Sequence, residues 1–294
     1  MKIGVIICIY KPHYSMLEEQ VRSISNQRKK VDTIYFFDDS PEEAFESNCK
    51  FISELFTDPQ APSFEAHQGP RKGVIENFLS ALNYVKEDVI FFSDQDDTWL
   101  PNKVELFAKE FEHTKEAKLV FSDAKVVSED LTNLSDSFIQ YLDLPHLVIE
   151  DDTILVKNCV QGASMAINST LADIVLESSS YVDNKNIPMH DWWIAVLARF
   201  FGEYTYINEP TLLYRQHENN LVGANRRTLK DRFRLDYLIV LYKVLYQTYK
   251  VNEIYYSSSD KVHLRRLKIR GVSFVKIIII KTVSFFSYLN SRLG

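Results

Sequence analysis

The chain has 294 residues, of which 46% are hydrophobic and 25% are charged, a composition typical of a folded protein and not of a disordered one. Its three cysteines (Cys8, Cys49 and Cys159) are too few and too scattered for a disulfide framework or a C-x-x-C metal site, which favours a reducing, cytoplasmic setting. The net charge of −6 is unevenly divided, with −17 in residues 1–225 and +11 in residues 226–294, and this predicts an acidic body with a basic extension that is drawn to an anionic surface.

The first hundred residues alternate strand patterns with helical ones. Strand patterns cover residues 3–9, 32–37, 63–67 and 88–93, and helical patterns cover residues 16–27 and 74–85. A further helix is predicted after the second strand, with Ser40 as its cap and Pro41 in its first turn. This alternation predicts an α/β fold with a mostly parallel sheet and helices on both faces.

The rest of the chain continues the pattern less regularly. We predict a helix from Pro101, a strand at 117–122, a strand entering a helix at 161–168, a helix at 190–201, and a last strand pair at 203–207 and 211–215. From about residue 228 onward the pattern is helical and basic. The N-terminus lacks the features of a signal peptide, and no apolar run approaches the roughly 20 residues that span a bilayer, so no membrane-spanning segment is expected.

Residues 273–291 form two faces when they are projected on a helix. Apolar side chains gather on one side, at positions 274, 275, 278, 279, 285, 286 and 289, and serine and lysine gather on the other, at 273, 276, 284, 287 and 291. This pattern predicts a helix that lies on a membrane surface. Packing on its own domain or on a second copy in a homodimer is the alternative. The apolar side suits lipid better than nucleic acid, which is not an expected partner.

Two acidic motifs follow predicted strands. Asp38 and Asp39 end one, and Asp94, Asp96 and Asp97 follow another that is strongly apolar. Ligands of such sheets bind beyond the carboxyl ends of the strands. Carboxylates crowded against an apolar floor are partly protonated unless a cation neutralises them. Their oxygen ligands suit Mg²⁺ or Mn²⁺.

An alternative for the second motif is the D-x-D-x-T of haloacid-dehalogenase-type phosphatases, in which Asp94 would be the nucleophile. The companion acidic motif of that family is absent downstream, and its D-x-D-x-T normally closes the first strand of the fold instead of the fourth. We therefore discount this interpretation. No glycine-rich phosphate loop or dinucleotide fingerprint is present, so kinase and dehydrogenase functions have no support.

Residues 2–225 resemble the family 2 glycosyltransferases of GT-A fold, and especially the bacterial rhamnosyltransferases among them. The resemblance rests on six segments in a characteristic order: IGVIICIYKP (3–12), SISNQ (23–27), FFDDS (36–40), FFSDQDDTWLP (91–101), HDWW (190–193) and YRQHENN (214–220). It implies a GT-A catalytic domain over residues 1–225 and leaves residues 226–294 as a helical extension.

The resemblance also implies roles for individual residues. The nucleotide pocket would begin near Ile9 and Tyr10, and the carboxylate of Asp39 would accept a hydrogen bond from the base. Asp94 would meet the ribose or the metal shell, and Asp96 would bind the metal that bridges the donor phosphates. Helix capping is the alternative role for Asp39.

The remaining binding residues are less specific. Asp97 would bind the metal or sugar hydroxyls, and Arg71 and Lys72 would add positive charge to the phosphates unless they are simply exposed. Trp99 would stack on a sugar or pack beneath the acidic loop. His217 would contact the metal or the diphosphate, with a purely structural role as its alternative.

Asp191 is the predicted general base, which takes the proton of the acceptor hydroxyl; capping the helix at 190–201 is its alternative role. A single base opposite a metal-stabilised leaving group implies one displacement with inversion. We expect an enzyme that moves L-rhamnose from dTDP-rhamnose to a glycan or lipid-linked acceptor for cell-surface polysaccharide, peripherally on the cytoplasmic face of the plasma membrane. A UDP-hexose or UDP-N-acetylhexosamine donor is one alternative, and a catalytically silent carbohydrate- or membrane-binding module is another.

Overall fold

Nine strands form one sheet within the residues that the computed structural model describes, which are 1–144, 146–216, 235–257 and 264–293. In chain order the strands are β1 (Ile3–Ile9), β2 (Thr33–Asp38), β3 (Ser63–Gln68), β4 (Val89–Ser93), β5 (Thr98–Trp99), β6 (Lys118–Val127), β7 (Asn133–Ser135), β8 (Met165–Asn168) and β9 (Glu203–Arg215).

The first four strands pair in parallel, in the spatial order β3-β2-β1-β4. The sheet continues as β8-β6-β9-β5, where β8 is antiparallel to both of its neighbours and β9 is parallel to β6. The sheet is therefore mixed, with its parallel half at the N-terminal end. The predicted α/β architecture is confirmed.

Helices cover both faces of the sheet. They are α1 (Tyr14–Ser25), α2 (Glu42–Leu55), α3 (Val74–Ala81), α4 (Lys103–Phe111), α5 (Phe138–Tyr141), α6 (Ser169–Ser178), α7 (His190–Phe201), α8 (Leu235–Ser257) and α9 (Phe274–Leu293). Because side chains alternate along a strand, β1 contributes side chains to two hydrophobic cores, one on each face of the sheet. Ile6 packs with α3, α6 and α7, whereas Val5 and Ile7 pack with α1 and α4.

Two local predictions need correction. The last strand pair is a single strand, β9, which shifts its register against β6 between Ile207 and Pro210, where the sequence suggested a break. Ser40 does not cap α2: its hydroxyl accepts the Lys11 N–H at 2.8 Å, and the helix begins at Glu42.

The C-terminal extension packs on the N-terminal body. Val251 of α8 and Ile280 of α9 belong to the same buried cluster as Leu197 of α7. The predicted boundary between residues 225 and 226 lies outside the described residues and stays a prediction.

A further correction concerns α9. Within the part of the chain that the structure describes, Phe274–Ser291 is the one stretch of helix long and apolar enough to cross a membrane, judged by length and composition alone. The sequence pattern missed it because Lys276 and Lys281 interrupt the apolar run.

Candidate active site

The two acidic motifs lie at one edge of the sheet. Asp39 follows β2 and Asp94 follows β4, and β1 runs between those strands. The side chain of Cys8 lies near the end of β1, where the charges of both motifs act on it. Burial raises the pKa of its thiol, and the negative charges of Asp94 and Asp39 raise it further. The sequence expectation that both motifs share one edge is thus met.

The loop that follows β4 is fastened to the end of β1. The Gln95 side chain accepts the Tyr10 N–H at 2.8 Å and donates to the Tyr10 carbonyl at 3.2 Å. From α1, the Gln20 amide donates to the Ser93 hydroxyl and to the Asp94 carbonyl, the latter at 3.3 Å. Ile9 contributes through its backbone, because its side chain is buried and its carbonyl accepts the Asp39 N–H at 2.9 Å.

Arg215, at the end of β9, clamps the same loop from the other side. Its backbone N–H donates to a carboxylate oxygen of Asp97 at 3.0 Å, and its Nε donates to the Asp96 carbonyl at 2.8 Å. Its Nη2 donates to Glu19 of α1 at 2.5 Å. The guanidinium is buried, so these bonds hold loop, strand and helix in one arrangement.

The three aspartates of the loop differ in exposure. Asp94 and Asp96 are half-buried, whereas Asp97 is 0% exposed and points into the protein. Burial raises the pKa of Asp97 well above its usual range, and Asp96 and Asp94 raise it further. Asp97 holds the loop by accepting the Arg215 N–H, and its contact with metal or sugar stays a prediction.

Asp191 is held beside the end of β4, because Gly162, whose N–H binds Asp191, belongs to the turn directly before β8, and β8 runs antiparallel to β4 with Ala166 opposite Phe91. Burial raises the pKa of Asp94 to about 7, and the negative charges of Asp96 and Asp191 are the next largest causes. Carboxylates that are far apart do not shift one another in this way. The structure thus brings together two half-buried carboxylates of the loop and the aspartate at the start of α7.

Lys103 is a cation buried beneath the loop. It is 0% exposed, donates to the Ala163 carbonyl at 2.5 Å, and lies 4.2 Å from the centre of the Trp99 ring. Burial lowers the pKa of Lys103 to about 7, while Asp97 and Asp94 act in the opposite direction. Trp99 is only 3% exposed, so it packs beneath the loop, and the predicted sugar stacking finds no exposed ring face.

Asp191 sits in the first turn of α7. One carboxylate oxygen accepts the Gly162 N–H at 3.0 Å, and the other accepts the Asn158 amide at 3.1 Å. Burial raises the pKa of Asp191 to about 7, although the hydrogen bonds from Trp192, Gly162 and Asn158 lower it. A carboxyl that titrates near neutrality suits a group that accepts a proton during a reaction.

The environment of Asp191 needs glycine at position 162. A Cβ there would lie 2.9 Å from Nε2 of His190 and 3.7 Å from the Asp191 carboxylate. His190 itself stacks on Phe78 at 4.2 Å, and burial lowers its pKa to about 3. The imidazole is therefore neutral at physiological pH and packs behind Asp191.

Asp39, which is predicted to bind the nucleobase of the donor, holds a turn. Its two oxygens accept the N–H groups of Arg71, at 2.6 Å, and of Gly73, at 2.8 Å. Gly69 permits this approach, since a Cβ there would lie 2.6 Å from Asp39. Each carboxylate oxygen has a second lone pair, so Asp39 can still accept a bond from a ligand. The guanidinium of Arg71 pairs with Glu42 at 3.1 Å and Lys72 is exposed, and their contact with the donor phosphates stays a prediction.

A divalent cation fits this donor set only in part. Among residues 1–144, 146–216, 235–257 and 264–293, no three His, Cys, Asp or Glu side chains are arranged to hold a metal ion. His217, the third predicted ligand, lies outside the described residues. Asp94 and Asp96 nevertheless present carboxylates of the kind that Mg²⁺ and Mn²⁺ prefer. Ligand phosphates normally complete the coordination of such ions.

Sequence reasoning missed four residues that position the site, namely Lys103, Asn158, Gly162 and Arg215. Each acts through a bond to a residue far away in the chain, so no local pattern marked it. Gly162 had the only usable signal, as an isolated glycine before a strand, which often marks a close approach.

The fold and the site together define a class. A mixed α/β sheet with acidic loops beyond its parallel strands, faced by a carboxylate at a helix start, is the arrangement of a GT-A glycosyltransferase. The chain belongs to glycosyl transferase family 2, whose family model matches residues 4–169. Asp191 lies beyond the matched residues, so its role rests on geometry.

Known proteins support this class. Over 221 residues the chain is 29% identical to the dTDP-rhamnosyl transferase RfbG of Shigella flexneri, covering 71% of each protein. Its fold is similar to S. aureus TarS 1–349 in complex with UDP, with a TM-score of 0.55 at 11% identity, over 99% of this chain and 90% of that one. The fold is also similar to that of the mannosyltransferase PcManGT from Pyrobaculum calidifontis in complex with GDP-Man and Mn²⁺. That comparison has a TM-score of 0.52 at 13% identity and covers 99% of this chain and 73% of that one.

Proposed function

We propose that this glycosyltransferase moves L-rhamnose from a dTDP-linked donor to a hydroxyl of a glycan or lipid-linked glycan acceptor, with inversion at the anomeric carbon. The observation that carries the proposal is geometric: β8 pairs antiparallel with β4, so the turn Gly162–Ser164, whose Gly162 N–H binds Asp191, lies beside the end of β4 that Asp94 follows. It supports a donor-phosphate site and a proton acceptor in one cleft. The choice of sugar rests on the similarity to a dTDP-rhamnosyl transferase.

The donor would bind at the ends of β1, β2 and β4. Asp39 has acceptor capacity for the N–H of a pyrimidine base, which thymine and uracil both carry. Asp94 and Asp96 would hold Mn²⁺ or Mg²⁺ against the diphosphate, and the cation would stabilise the charge that develops on the departing nucleotide. Tyr10, 56% exposed beside the acidic loop, is placed to contact the nucleotide.

Asp191 would act on the acceptor. Its deprotonated carboxylate takes the proton of the acceptor hydroxyl as the oxygen attacks the anomeric carbon from the side opposite the leaving diphosphate. Gly162 and Asn158 hold both carboxylate oxygens and so set the direction of the remaining lone pairs. His190 is neutral and buried behind them, and it contributes packing rather than proton transfer.

A donor panel tests this proposal. The purified protein is incubated with Mn²⁺ and with dTDP-rhamnose, dTDP-glucose, UDP-glucose, UDP-galactose or UDP-N-acetylglucosamine, and release of the nucleoside diphosphate is measured. We expect the highest rate with dTDP-rhamnose. A preference for a UDP-sugar would keep the chemistry but overturn the donor assignment. Equal inertness towards every donor, with and without metal, would instead support a silent binding module.

A further inference from the structure

The contact between α8 and α9 is built from polar side chains. Gln247, Thr248, Asn252, Ser284 and Ser287 are each at most 2% exposed. The Ser284 hydroxyl donates to the Asn252 side chain at 2.7 Å, and the Ser287 hydroxyl donates to the Tyr249 carbonyl at 2.9 Å. Ser284 and Ser287, which lie on the face that the sequence pattern assigned to the side away from a membrane, therefore pack against α8.

The opposite face of α9 is apolar and exposed. It carries Phe274, Val275, Ile278, Phe285 and Phe286, which are between 43% and 75% exposed. A helix on the surface of a soluble protein has the reverse arrangement, with its apolar stripe buried. Exposed apolar faces of this kind mark interaction sites.

The first turns of α8 also carry exposed apolar side chains. Lys276 of α9 lies 5.9 Å from the ring centre of Tyr237, so the start of α8 is beside the start of α9. In the same turns of α8, Leu238, Ile239 and Tyr242 are 56%, 46% and 54% exposed. We call the five exposed apolar residues of α9 the apolar face.

The surroundings of the apolar face are strongly basic. Residues 264–293 contain seven Lys and Arg and no Asp or Glu. Arg265 binds the body of the protein, where it pairs with Asp152 at 3.0 Å. Arg266, Lys268, Arg270 and Lys281 are exposed. Arg270 pairs with Asp151 at 3.6 Å, but its side chain is still 83% exposed. An apolar face accompanied by exposed cations is complementary to an anionic phospholipid surface.

We propose that α9 lies flat in the interfacial region of an anionic bilayer and inserts the apolar face among the lipids. A second copy of the chain is a poorer occupant, because a twofold contact would bring two basic surfaces together. A spanning orientation is also disfavoured. It would detach α9 from α8 and break the Ser284 and Ser287 hydrogen bonds, leaving the polar side chains of α8 without partners.

The proposal goes beyond sugar transfer and does not depend on the donor. It predicts that the enzyme works where a lipid-linked acceptor would be presented. Since α8 packs against α7, whose first turn holds Asp191, the membrane contact is two helices away from the proposed base.

Flotation of the full chain with vesicles tests the proposal. Vesicles of phosphatidylcholine alone are compared with vesicles that also contain phosphatidylglycerol. We expect binding to the anionic vesicles at least tenfold tighter than to the neutral ones. Phe286→Glu should weaken it by roughly tenfold or more, the loss expected when a buried phenylalanine contact is replaced by a charge. Leu134→Glu is the matched control, because Leu134 is 50% exposed on β7, away from this surface.

Three results would overturn the proposal. The first is equal binding by Phe286→Glu and Leu134→Glu when both melt like the wild type. The second is retention on the membrane after carbonate at pH 11, which would indicate a spanning helix. The third is a dimer in sedimentation equilibrium that Phe286→Glu dissociates. Quenching of Phe286→Trp fluorescence by brominated lipids, at shallow and not at central depth, would support the flat orientation.

Discussion

Asp191 owes its raised pKa to burial, and the bonds from Gly162 and Asn158 limit the rise. Because its folded pKa of about 7 lies above its ordinary value of 3.8, the folded protein favours the protonated form. This group's contribution to stability is therefore complete below about pH 4 and is lost as the pH rises through 7. The proposed catalytic role requires the other form of Asp191, because a general base must be deprotonated before it can accept a proton.

Asp191→Asn should separate these two effects. We expect transfer to fall by roughly 10²- to 10⁴-fold, the usual contribution of a general base. Donor affinity in the presence of Mn²⁺ should stay within about twofold, because Asp191 does not contact the donor phosphates in the proposed arrangement. Steady-state rates and calorimetric donor titrations measure both quantities. An equal loss of donor affinity would show that Asp191 binds the donor or its metal.

Asn158→Ala should move the pH dependence of the rate. The Asn158 amide stabilises the charged carboxylate of Asp191, so its removal raises the pKa of Asp191 further. In the wild type, a plot of the rate against pH should rise with a midpoint near pH 7, as Asp191 loses its proton. In the variant, this rising limb should have its midpoint at a higher pH. Activity should consequently fall more at pH 6 than at pH 8.5.

Asn184→Ala serves as the control for that shift. Asn184 also donates to a carboxylate, that of Glu76 at 3.0 Å, but it lies between α6 and α7 and contacts no residue of the site. Its pH profile should match the wild type. If both variants shift the limb equally, or neither does, Asn158 does not tune the base.

At the scale of elements, the loop after β4 combines crowded carboxylates with one internal cation. Lys103 lies beneath Asp94 and Asp97, whose negative charges favour its protonated form, and it donates a hydrogen bond to the Ala163 carbonyl. That carbonyl belongs to the turn Gly162–Ser164, which also holds Asp191. Lys103 thus lies between the acidic loop and the turn that holds Asp191.

Lys103→Met should expose the repulsion in this loop. We expect a loss of stability of about 1–3 kcal/mol without metal, from the unpaired Ala163 carbonyl and the unbalanced carboxylates. Mn²⁺ should raise the melting temperature more in this variant than in the wild type, because the ion replaces the missing charge. Lys118→Met is the control, since Lys118 also donates to a main-chain carbonyl, that of Glu110 at 2.5 Å. An equal Mn²⁺ response in all three proteins would refute a balancing role for Lys103.

The predictability of these elements follows from the range of the interactions involved. The alternation of β1 to β4 with helices and the position of both acidic motifs are local patterns, and they were predictable. The inward turn of Asp97 depends on Arg215, 118 residues away, and the burial of Trp99 depends on Lys103 and the sheet. The two faces of α9 were also predictable, but the choice of the serine face for packing depends on partners in α8.

In the whole molecule, the acidic body and the basic extension carry opposite net charges. The acidic body presents carboxylates at the carboxyl ends of the parallel strands, and the basic extension presents cations around an exposed apolar face. In the proposed function, a divalent ion would link the acidic site to a donor that is itself anionic, because the two would otherwise repel each other. Donor binding should therefore depend on the ion and on the carboxylates that hold it.

Calorimetric titration of dTDP-rhamnose into the protein, with and without Mn²⁺, tests that claim most directly. We predict saturable binding with the ion, at least tenfold weaker binding without it, and a similar loss in Asp96→Asn with Mn²⁺ present. Asp136→Asn, which changes a carboxylate that pairs with Lys125 at 3.6 Å outside the cleft, should bind like the wild type. Equally tight donor binding in the wild type without the ion, or in Asp96→Asn with it, would contradict the account.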